Sequence, residues 1–397
     1  MDKKPEKLVP EVRFKGFTDD WEQRKLGEIS KRVRNNDGRM NLPLLTISAR
    51  YGWMTQQSRF SASIAGREKK NYTLLKKHQL SYNHGNSKVA NYGTVYELTD
   101  YDEALVPKVY HSFSLTSENS SKFIESYFHT KKLDAQLRKF IASTARMDGL
   151  LNISFDDFMK VKLFAPERCE QSKISRIINL IEKLITLQQR KLEILIKLKQ
   201  SFLTKIMANN IDKNPELYFN SASIKWLKQE LSNLTIKEFK GNTKLNDTKT
   251  GKTEYLDAER LNGNVPLFID KPINTLKSDI LILWDGSKAG SVYYGFEGSL
   301  GSTLKAIRLN PKLVNSFFVY QQLKSKQDVI FNKYRTPNIP HVIKNFTKVY
   351  PIYFPSMAVQ NKIARFLGNL DTLIEIQQKS IKDHKVIKKY LLQKLFI

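Results

Sequence analysis

The chain has 397 residues, enough for two or three domains that each bury a hydrophobic core. It contains 66 Lys plus Arg but only 39 Asp plus Glu, which gives a formal net charge of +27 and a pI near 9.8. This excess favours nucleic acid as a partner and makes an anionic membrane surface a distant second. No run reaches the ~18 apolar residues of a membrane span, and no apolar signal region follows the first residues, so we expect a cytoplasmic protein without a membrane partner.

Cysteine and histidine usage argues against bound metal. The sole cysteine, Cys169, excludes a disulfide framework and a thiolate cluster. None of the six histidines pairs with another His or Cys at ligand spacing, so we expect no metal on this chain.

The first segment of the chain returns later. A lead-in with Pro10, Glu11, Phe14, Trp21 and Leu26 recurs 205 positions on, without a gap, as Pro215, Glu216, Phe219, Trp226 and Leu231. The chain therefore consists of two half-units.

The middles of the half-units, about residues 30–155 and 235–345, do not align in sequence. In the first, residues 44–48 and 79–82 are strand-like and residues 123–138 look helical. In the second, we predict a strand over 279–284 and a helix over 313–323. Residues 83–88 and 285–290 each follow a strand and are rich in Gly, Ser, Lys and Asn or Asp. An ordinary turn explains either loop as well as a functional one does.

Loop position and residue type select the candidate base-contacting residues, because polar and basic side chains at strand ends can reach base edges and phosphates. One more arginine, Arg146, is included because it stands 189 positions before Arg335. The candidates are Arg50, Tyr51, Asn83, His84, Asn86, Lys88 and Arg146 in the first half, and Arg260, Asn262, Asp285, Ser287, Lys288 and Arg335 in the second.

Each half-unit ends in a long amphipathic segment. Between Pro166 and Met207, apolar residues recur at helical spacing over roughly 40 residues, or ~60 Å. Residues 355–397 repeat this pattern 189 positions later, with about a dozen identities and no gap. Two helices of equal length predict an antiparallel coiled coil with a polar break at mid-length, where Gln188 and Gln377 would meet. Alternatively, each helix packs into the core of its own domain.

The predicted seam between the helices follows a heptad. Its first row is Ile174, Ile181, Gln188, Leu195 and Phe202 in one helix and Ile363, Leu370, Gln377, His384 and Leu391 in the other. Its second row is Ile177, Leu184, Lys191 and Leu198, answered by Phe366, Leu373, Ser380 and Ile387.

Catalytic motifs are incomplete. Gly251-Lys252-Thr253 lacks the glycine that a phosphate-binding loop needs five positions earlier, where Asn246 stands. Glu-x-Lys triplets at 68–70 and 238–240 arise by chance in a chain with 26% charged residues. No Asn-Pro-Pro-aromatic tetrapeptide of an amino-methyltransferase occurs. We therefore predict a chain that reads nucleic acid without catalysing a reaction.

These repeats resemble a known family, the DNA specificity (S) subunits of type I restriction-modification systems. The lead-in from Pro10 to Phe17, followed by Trp21 and Lys25-Leu26-Gly27-Glu28, is similar to the family's N-terminal signature. The segment from Pro166 to Ile174, with Glu170-Gln171 at its centre, is similar to the motif that opens its central helix. The second copy departs from this motif with Val359-Gln360, so the two helix starts need not make the same contact.

The resemblance implies an α+β fold in which two globular α/β target-recognition domains are joined by two long helices that form an antiparallel coiled coil, with a pseudo-two-fold internal repeat. The domains would be residues 1–165 and 211–354, and the helices residues 166–210 and 355–397. Each domain would read one half of a bipartite, asymmetric site in double-stranded DNA.

It also implies partners: two methyltransferase subunits and two restriction/translocase subunits, which would hold S-adenosylmethionine, ATP and Mg²⁺, with no cofactor in this chain. The alternatives are a coiled-coil nucleic-acid-binding scaffold without sequence specificity and a stand-alone DNA-modifying enzyme.

Overall fold

The structure, a computed structural model, describes residues 8–60, 66–142, 150–207, 217, 226–336 and 340–397. It divides into two compact units: unit 1 is Met1–Gln189 with Ser380–Ile397, and unit 2 is Arg190–Lys379. Both mix strands and helices, so the predicted α+β class is confirmed. The four-segment domain division made from the sequence stays a prediction.

Unit 1 is built on a four-stranded antiparallel sheet with the order β2-β9-β6-β7. Three two-stranded antiparallel pairs, β1-β10, β3-β4 and β5-β8, accompany it. The strands are β1 (Glu22–Lys25), β2 (Ser30–Val33), β3 (Leu45–Ser48), β4 (Gly52–Thr55), β5 (Thr73–Lys76), β6 (Leu80–Asn83), β7 (Thr94–Glu97), β8 (Glu103–Val106), β9 (His111–Leu115) and β10 (Lys162–Ala165). The helices are α1 (Gln56–Phe60), α2 (Ser121–His129), α3 (Asp134–Phe140), α4 (Phe155–Met159) and the first part of α5 (Arg168–Ile206), with 3₁₀ helices at Leu26–Glu28 and Gly66–Asn71.

The core of unit 1 is aromatic. Phe113 lies opposite Leu80 in the sheet, and both are fully buried. Phe158 of α4 stacks on Tyr82 of β6 with ring centroids 4.3 Å apart. Trp21, from the repeated lead-in, is also buried in this core. The lead-in motif therefore supplies a core side chain, which gives a packing reason for its recurrence.

The predicted strands over 44–48 and 79–82 are confirmed as β3 and β6. The single helix predicted over 123–138 is wrong, because α2 ends at His129 and α3 begins at Asp134. Lys131, between them, has φ +66°, a left-handed conformation that a continuing helix cannot contain.

Unit 2 has its own four-stranded antiparallel sheet, with the order β12-β18-β15-β16. A three-stranded sheet, β14-β13-β17, and the pair β11-β19 accompany it. The strands are β11 (Leu227–Glu230), β12 (Thr235–Lys240), β13 (Thr250–Leu256), β14 (Phe268–Ile269), β15 (Ile280–Leu283), β16 (Val292–Tyr293), β17 (Ser299–Leu300), β18 (Leu304–Leu309) and β19 (Pro351–Phe354). The helices are α6 (Ala258–Leu261), α7 (Ser316–Ser325), α8 (Gln327–Lys333), α9 (Phe346–Val349) and α10 (Met357–Lys394), with 3₁₀ helices at Leu231–Leu234 and Leu245–Asp247.

The two main sheets share one topology. In sequence order, β2, β6, β7 and β9 take the same places as β12, β15, β16 and β18. The short pair before each long helix, β1-β10 or β11-β19, is also repeated. The two middles therefore share a framework although they do not align in sequence, because a sheet order depends on burial pattern rather than residue identity.

The long helices are confirmed as α5, with 39 residues, and α10, with 38. A buried glutamine fixes the start of each. Gln171 Nε2 donates to the Pro166 carbonyl oxygen at 2.9 Å, and Gln360 Nε2 donates to the Pro355 carbonyl oxygen at the same distance. The repeated Gln thus makes the same contact in both copies.

The residue before the glutamine makes a different contact in each copy. Glu170 is fully buried and accepts two hydrogen bonds of 2.8 Å from the Arg13 guanidinium. Val359 stands in its place in unit 2 and packs against the apolar core. The departure seen in the sequence therefore replaces a buried ion pair with an apolar contact.

In each unit, segments of the two helices run antiparallel. In unit 1, Ile174 shares a core cluster with Leu395, whereas Glu182, further along α5, pairs with Lys388, further back on α10. In unit 2, Lys199 pairs with Asp371, and the rings of Phe202 and Phe366 lie 4.8 Å apart. The same segments pack into the core of each unit, so helix pairing and the alternative of core packing both apply.

Within the predicted seam, every first-row residue is buried or half-buried. The second row is wrong by one position, since Leu184, Leu198, Leu373 and Ile387 are exposed. The less exposed row follows one residue later: Ile178, Ile185, Leu192, Lys199 and Ile206 on α5, and Leu367, Ile374, Ile381 and Lys388 on α10, with Leu395 directly after it. Gln188 belongs to unit 1 and Gln377 to unit 2, and their meeting stays a prediction.

Candidate nucleic-acid interface

In unit 1, the loop after β6 is shaped by two of its own polar side chains. Asn83 Nδ2 donates to the carbonyl oxygen of Ile47 at 3.0 Å. His84 is buried, and its ring nitrogens lie 2.7 Å and 2.8 Å from the carbonyl oxygens of Leu151 and Val109. Asn83 and His84 therefore have partners within the protein, and their base contacts stay predictions.

Four other candidates of this unit, Arg50, Tyr51, Asn86 and Lys88, lie at the surface. Arg50 and Tyr51 form the turn between β3 and β4, and the Tyr51 side chain is 69% exposed. Asn86 and Lys88 are exposed in the loop after β6. Because Asn83 bonds to β3, the β3-β4 hairpin and this loop are held side by side. The structure thus brings together two segments that are distant in sequence and that offer basic, amide and aromatic side chains.

Two further basic features of unit 1 had no signal in the sequence. Arg59 of α1 donates to the same Ile47 carbonyl oxygen at 2.6 Å, at the same hairpin. Arg32 of β2 lies 4.0 Å from the centroid of the Phe155 ring. Burial, with a smaller contribution from the neighbouring Arg34, lowers the pKa of Arg32. Single arginines are too common in this chain to stand out by pattern.

In unit 2, the loop after β15 contacts one residue 48 positions later and one residue 45 positions earlier. Arg335 Nη1 donates to the Ser287 carbonyl oxygen at 3.2 Å, and Asp285 forms an ion pair of 2.6 Å with Lys240 of β12. Ser287 and Lys288 are exposed. The candidates Asp285, Ser287, Lys288 and Arg335 therefore form one group, and Lys240 is a member that the sequence did not reveal.

Arg260 and Asn262 lie at a different part of unit 2, on and after α6. Arg260 pairs with Glu254, and its guanidinium lies 5.6 Å from the Phe296 ring centroid. Asn262 accepts a hydrogen bond of 3.2 Å from the Tyr293 hydroxyl. Within the described ranges, neither side chain is hydrogen-bonded or ion-paired to the 285–288 loop. Arg146, the remaining candidate, lies outside the described residues.

One cluster in unit 1 joins potential metal ligands. Glu125, His129 and Glu182 present ligand atoms within 4.8 Å of one another. Lys122 Nζ lies 2.7 Å from Glu125 and 2.5 Å from Glu182, whose other oxygen lies 2.8 Å from Lys388. Two ammonium groups already neutralise these carboxylates, so we describe the cluster as an ion-pair network. The expectation that the chain binds no metal stays a prediction.

Each unit combines a sheet region with segments of the two long helices. The sheet region is β1–β10 with α1–α4 in unit 1, and β11–β19 with α6–α9 in unit 2. This is the fold of restriction-modification specificity subunits. A type I restriction-modification system S subunit from M. genitalium has a TM-score of 0.68 and 16% identity, over 98% of this chain and 99% of that one. A chain from a structure of the assembly and conformational transition of the type I R-M system gives a TM-score of 0.53 and 14% identity, over 99% of both. At these identities the likeness concerns the fold.

Sequence comparison finds a family match over part of the chain. Residues 225–383 match the family described as type I restriction modification DNA specificity domain. The chain therefore carries a domain of the type I restriction-modification specificity family, and the resemblance noted in the sequence is confirmed.

Two relatives from Methanocaldococcus jannaschii agree. The type I restriction enzyme MjaVIII specificity subunit is 33% identical over 150 residues, which cover 37% of this chain and 35% of that protein. The putative type I restriction enzyme MjaX specificity subunit is 24% identical over 280 residues, which cover 65% and 63%. The chain thus spans less than two thirds of either relative. Among the described residues, no helix has the length and apolar content needed to cross a bilayer.

Proposed function

We propose that this chain is the sequence-specific DNA-recognition subunit of a type I restriction-modification complex. It reads a bipartite, asymmetric site in duplex DNA, carries out no reaction itself and works in the cytoplasm. Two methyltransferase subunits and two restriction/translocase subunits dock on it, and they hold S-adenosylmethionine, ATP and Mg²⁺.

The observation that carries this proposal is one framework with two different sets of loop side chains. The loops after β6 and β15 leave equivalent strands of the two sheets, but one presents Asn86 and Lys88 while the other presents Asp285, Ser287 and Lys288. Side chains at groove edges choose bases, so unlike loops on like frameworks suit a reader of two unlike half-sites. A scaffold without sequence preference would need no such difference.

Charge supports the choice of duplex DNA. A formal net charge of +27 is offset when phosphates are bound. For about ten neutralised phosphates, the slope of log affinity against log salt should be near −9.

Selection of binding sites from random duplexes by the purified chain with its methyltransferase partner tests the proposal directly. Two short conserved blocks at a fixed separation are expected, and equal affinity for every duplex contradicts it.

Exchange of one sheet region separates the two readers. Replacing residues 30–155 with the corresponding region of another specificity subunit should change one half-site of the selected sequence and leave the other intact. A change in both blocks would show that the regions do not read independently. Methylome sequencing of cells carrying each version gives the same readout in vivo. Cleavage or methylation of DNA by the chain without partners would instead favour a stand-alone enzyme.

Exposed apolar stripes on the long helices support the docking of partners. In unit 1, Leu180, Leu184 and Leu187 are exposed at one-turn spacing on α5, with Ile387 and Tyr390 on α10. In unit 2, exposed apolar residues also follow helical spacing: Ile194 and Leu198 on α5, and Leu373 and Ile376 on α10. Apolar stripes at helical spacing fit the apolar faces of partner helices. One stripe per unit matches two methyltransferase subunits.

Charge placed on a stripe tests the docking. Leu187→Glu should greatly weaken co-purification of the methyltransferase subunit, because it buries a carboxylate in an apolar contact. Gln189→Glu is the matched control: it adds the same charge on the opposite side of α5, where Gln189 is exposed. DNA binding by the isolated chain should be the same for both variants. Equal loss of the methyltransferase in both variants would mean that charge on α5, rather than the stripe, matters.

A further inference from the structure

In unit 1, helix α2 of the sheet region is attached to α5 at two polar points. At the first, the Ser120 backbone N–H donates to Gln171 Oε1 at 2.9 Å, and the Ser120 and Ser175 hydroxyl oxygens lie 2.9 Å apart. At the second, Lys122 of α2 reaches Glu182, which also binds Lys388 of α10. The second point therefore joins the sheet region to both long helices.

Unit 2 repeats this arrangement with different side chains. The Asn315 backbone N–H, at the start of α7, donates to Gln360 Oε1 at 2.8 Å. Gln321 Nε2 of α7 donates to Asp371 Oδ2 at 2.8 Å, and Lys199 of α5 binds the other oxygen of Asp371 at 2.5 Å. In each unit, an acidic residue of one long helix thus joins a lysine of the other long helix and a polar side chain of the sheet region.

The two points in each unit are 11 residues apart along the long helix, which corresponds to about 16 Å. A single contact acts as a pivot, whereas two contacts that far apart on a rigid helix fix the angle of the attached helix. Gln171, Gln360 and Asp371 are buried or half-buried, so these contacts compete little with water. Burial works against the charge of Glu182, but Lys122 and Lys388 outweigh it and lower its pKa.

We propose that Glu182 and Gln171 in unit 1, and Asp371 and Gln360 in unit 2, are positioning residues that set the angle of each sheet region on its helices. They touch no DNA in this proposal and act by restricting which spacer between half-sites can be bound. The inference rests on the proposed function of reading a bipartite site. One base pair of extra spacer shifts a half-site by about 3.4 Å and rotates it by about 35°, which a region held at two points cannot follow.

The experiment measures spacer selectivity. Half-sites are first found by selection with the full wild-type chain, and affinities are then measured for duplexes that differ only in spacer length. Glu182→Gln keeps the shape of the side chain and removes its charge, and Asp371→Asn does the same in unit 2. We expect the preference for the cognate spacer over one base pair more or less to fall roughly tenfold, because a hydrogen bond to a charged group is worth about that factor.

Three comparisons make the result specific. Lys122→Arg preserves the ion pair with Glu182 and should keep the wild-type spacer profile. Asp102→Asn removes an exposed ion pair with Lys77 that touches neither long helix, and should leave the profile unchanged. Affinity for a duplex with one half-site should be the same in all variants, since the base-contacting loops are untouched.

The outcomes are distinct. A flatter spacer profile in Glu182→Gln or Asp371→Asn supports the inference, and the second variant serves if the first does not fold. Folded variants that bind every spacer with equally reduced affinity show a merely structural role and overturn it. If the wild-type chain selects no half-sites at all, the proposed function fails instead.

Discussion

Phe396, two residues after the end of α10, offers the sharpest test of how this segment contributes to unit 1. Its side chain is 1% exposed, and its ring centroid lies 5.1 Å from that of Phe123, 5.3 Å from Tyr127 and 6.4 Å from Trp21. These rings come from the lead-in and from α2, so Phe396 joins three parts of the chain that are far apart in sequence. We predict that Phe396→Ala destabilises unit 1 selectively.

The size of the effect follows from burial and ring contacts. Removing a buried phenylalanine side chain costs about 3–5 kcal/mol, and each aromatic pair adds about 0.5–1.5 kcal/mol beyond its area. With three ring partners, we expect a loss in the upper half of the 3–5 kcal/mol range. For a unit of about 200 residues, this lowers the melting temperature by about 8–20 °C.

Hydrogen exchange read by mass spectrometry resolves the two units, because each peptide reports its own opening free energy. Peptides from residues 80–128 should lose protection in Phe396→Ala, while peptides from residues 280–323 keep it. Tyr390→Ala is the matched control, since Tyr390 lies six residues earlier, on α10, but is 50% exposed, and it should change stability by less than about 0.5 kcal/mol. A loss below about 1 kcal/mol in Phe396→Ala, or equal loss of protection in both units, would refute the reasoning.

Three further predictions concern single groups. Glu170→Gln should destabilise unit 1 by about 3 kcal/mol. This is the lower end for breaking a buried ion pair, because Arg13 keeps some contact with water. A urea titration measures the change, and a value under about 1 kcal/mol would contradict the prediction. Burial lowers the pKa of His129 in the folded chain, so the unfolded chain takes up the proton first. Its stabilisation is therefore complete above about pH 6.5 and lost as pH falls through the lower folded value, by at most about 1.4 kcal/mol per pH unit. Urea midpoints of wild type and His129→Gln between pH 7 and pH 5 should diverge, and parallel curves would exclude His129 as the cause. Lys88→Ala should reduce the salt slope of DNA binding by about 1 if Lys88 meets a phosphate, and an unchanged slope in filter-binding assays would remove it from the interface.

Much of the architecture could be predicted from periodic and repeated residues. The apolar rhythm from Ile174 onwards defined α5, and its copy defined α10, because helical spacing is a local property of the sequence. The repeat also marked Gln171 and Gln360, whose equivalent contacts explain why the same residue recurs. The polar loops after β6 and β15 were found from their Gly, Ser, Lys and Asn or Asp content after strand-like runs.

Other features depend on partners distant in sequence. The second row of the helix seam was misplaced by one residue, since a 3.6-residue helix offers two adjacent stripes and only packing selects between them. The exposed stripes that remained, with Leu184 in unit 1 and Leu373 in unit 2, became the candidate docking surfaces. The grouping of Arg335 with Ser287 had no local pattern at all.

The sequence alone determined the duplication, the two long helices and the excess of positive charge, because repeats, helical periodicity and composition are written residue by residue. Only the tertiary structure decided that the unlike middles share one strand order, that Phe396 enters the core of unit 1, and that Glu182 meets Lys122. These depend on contacts between residues far apart in the chain, where burial and charge pairing select a partner that spacing does not specify.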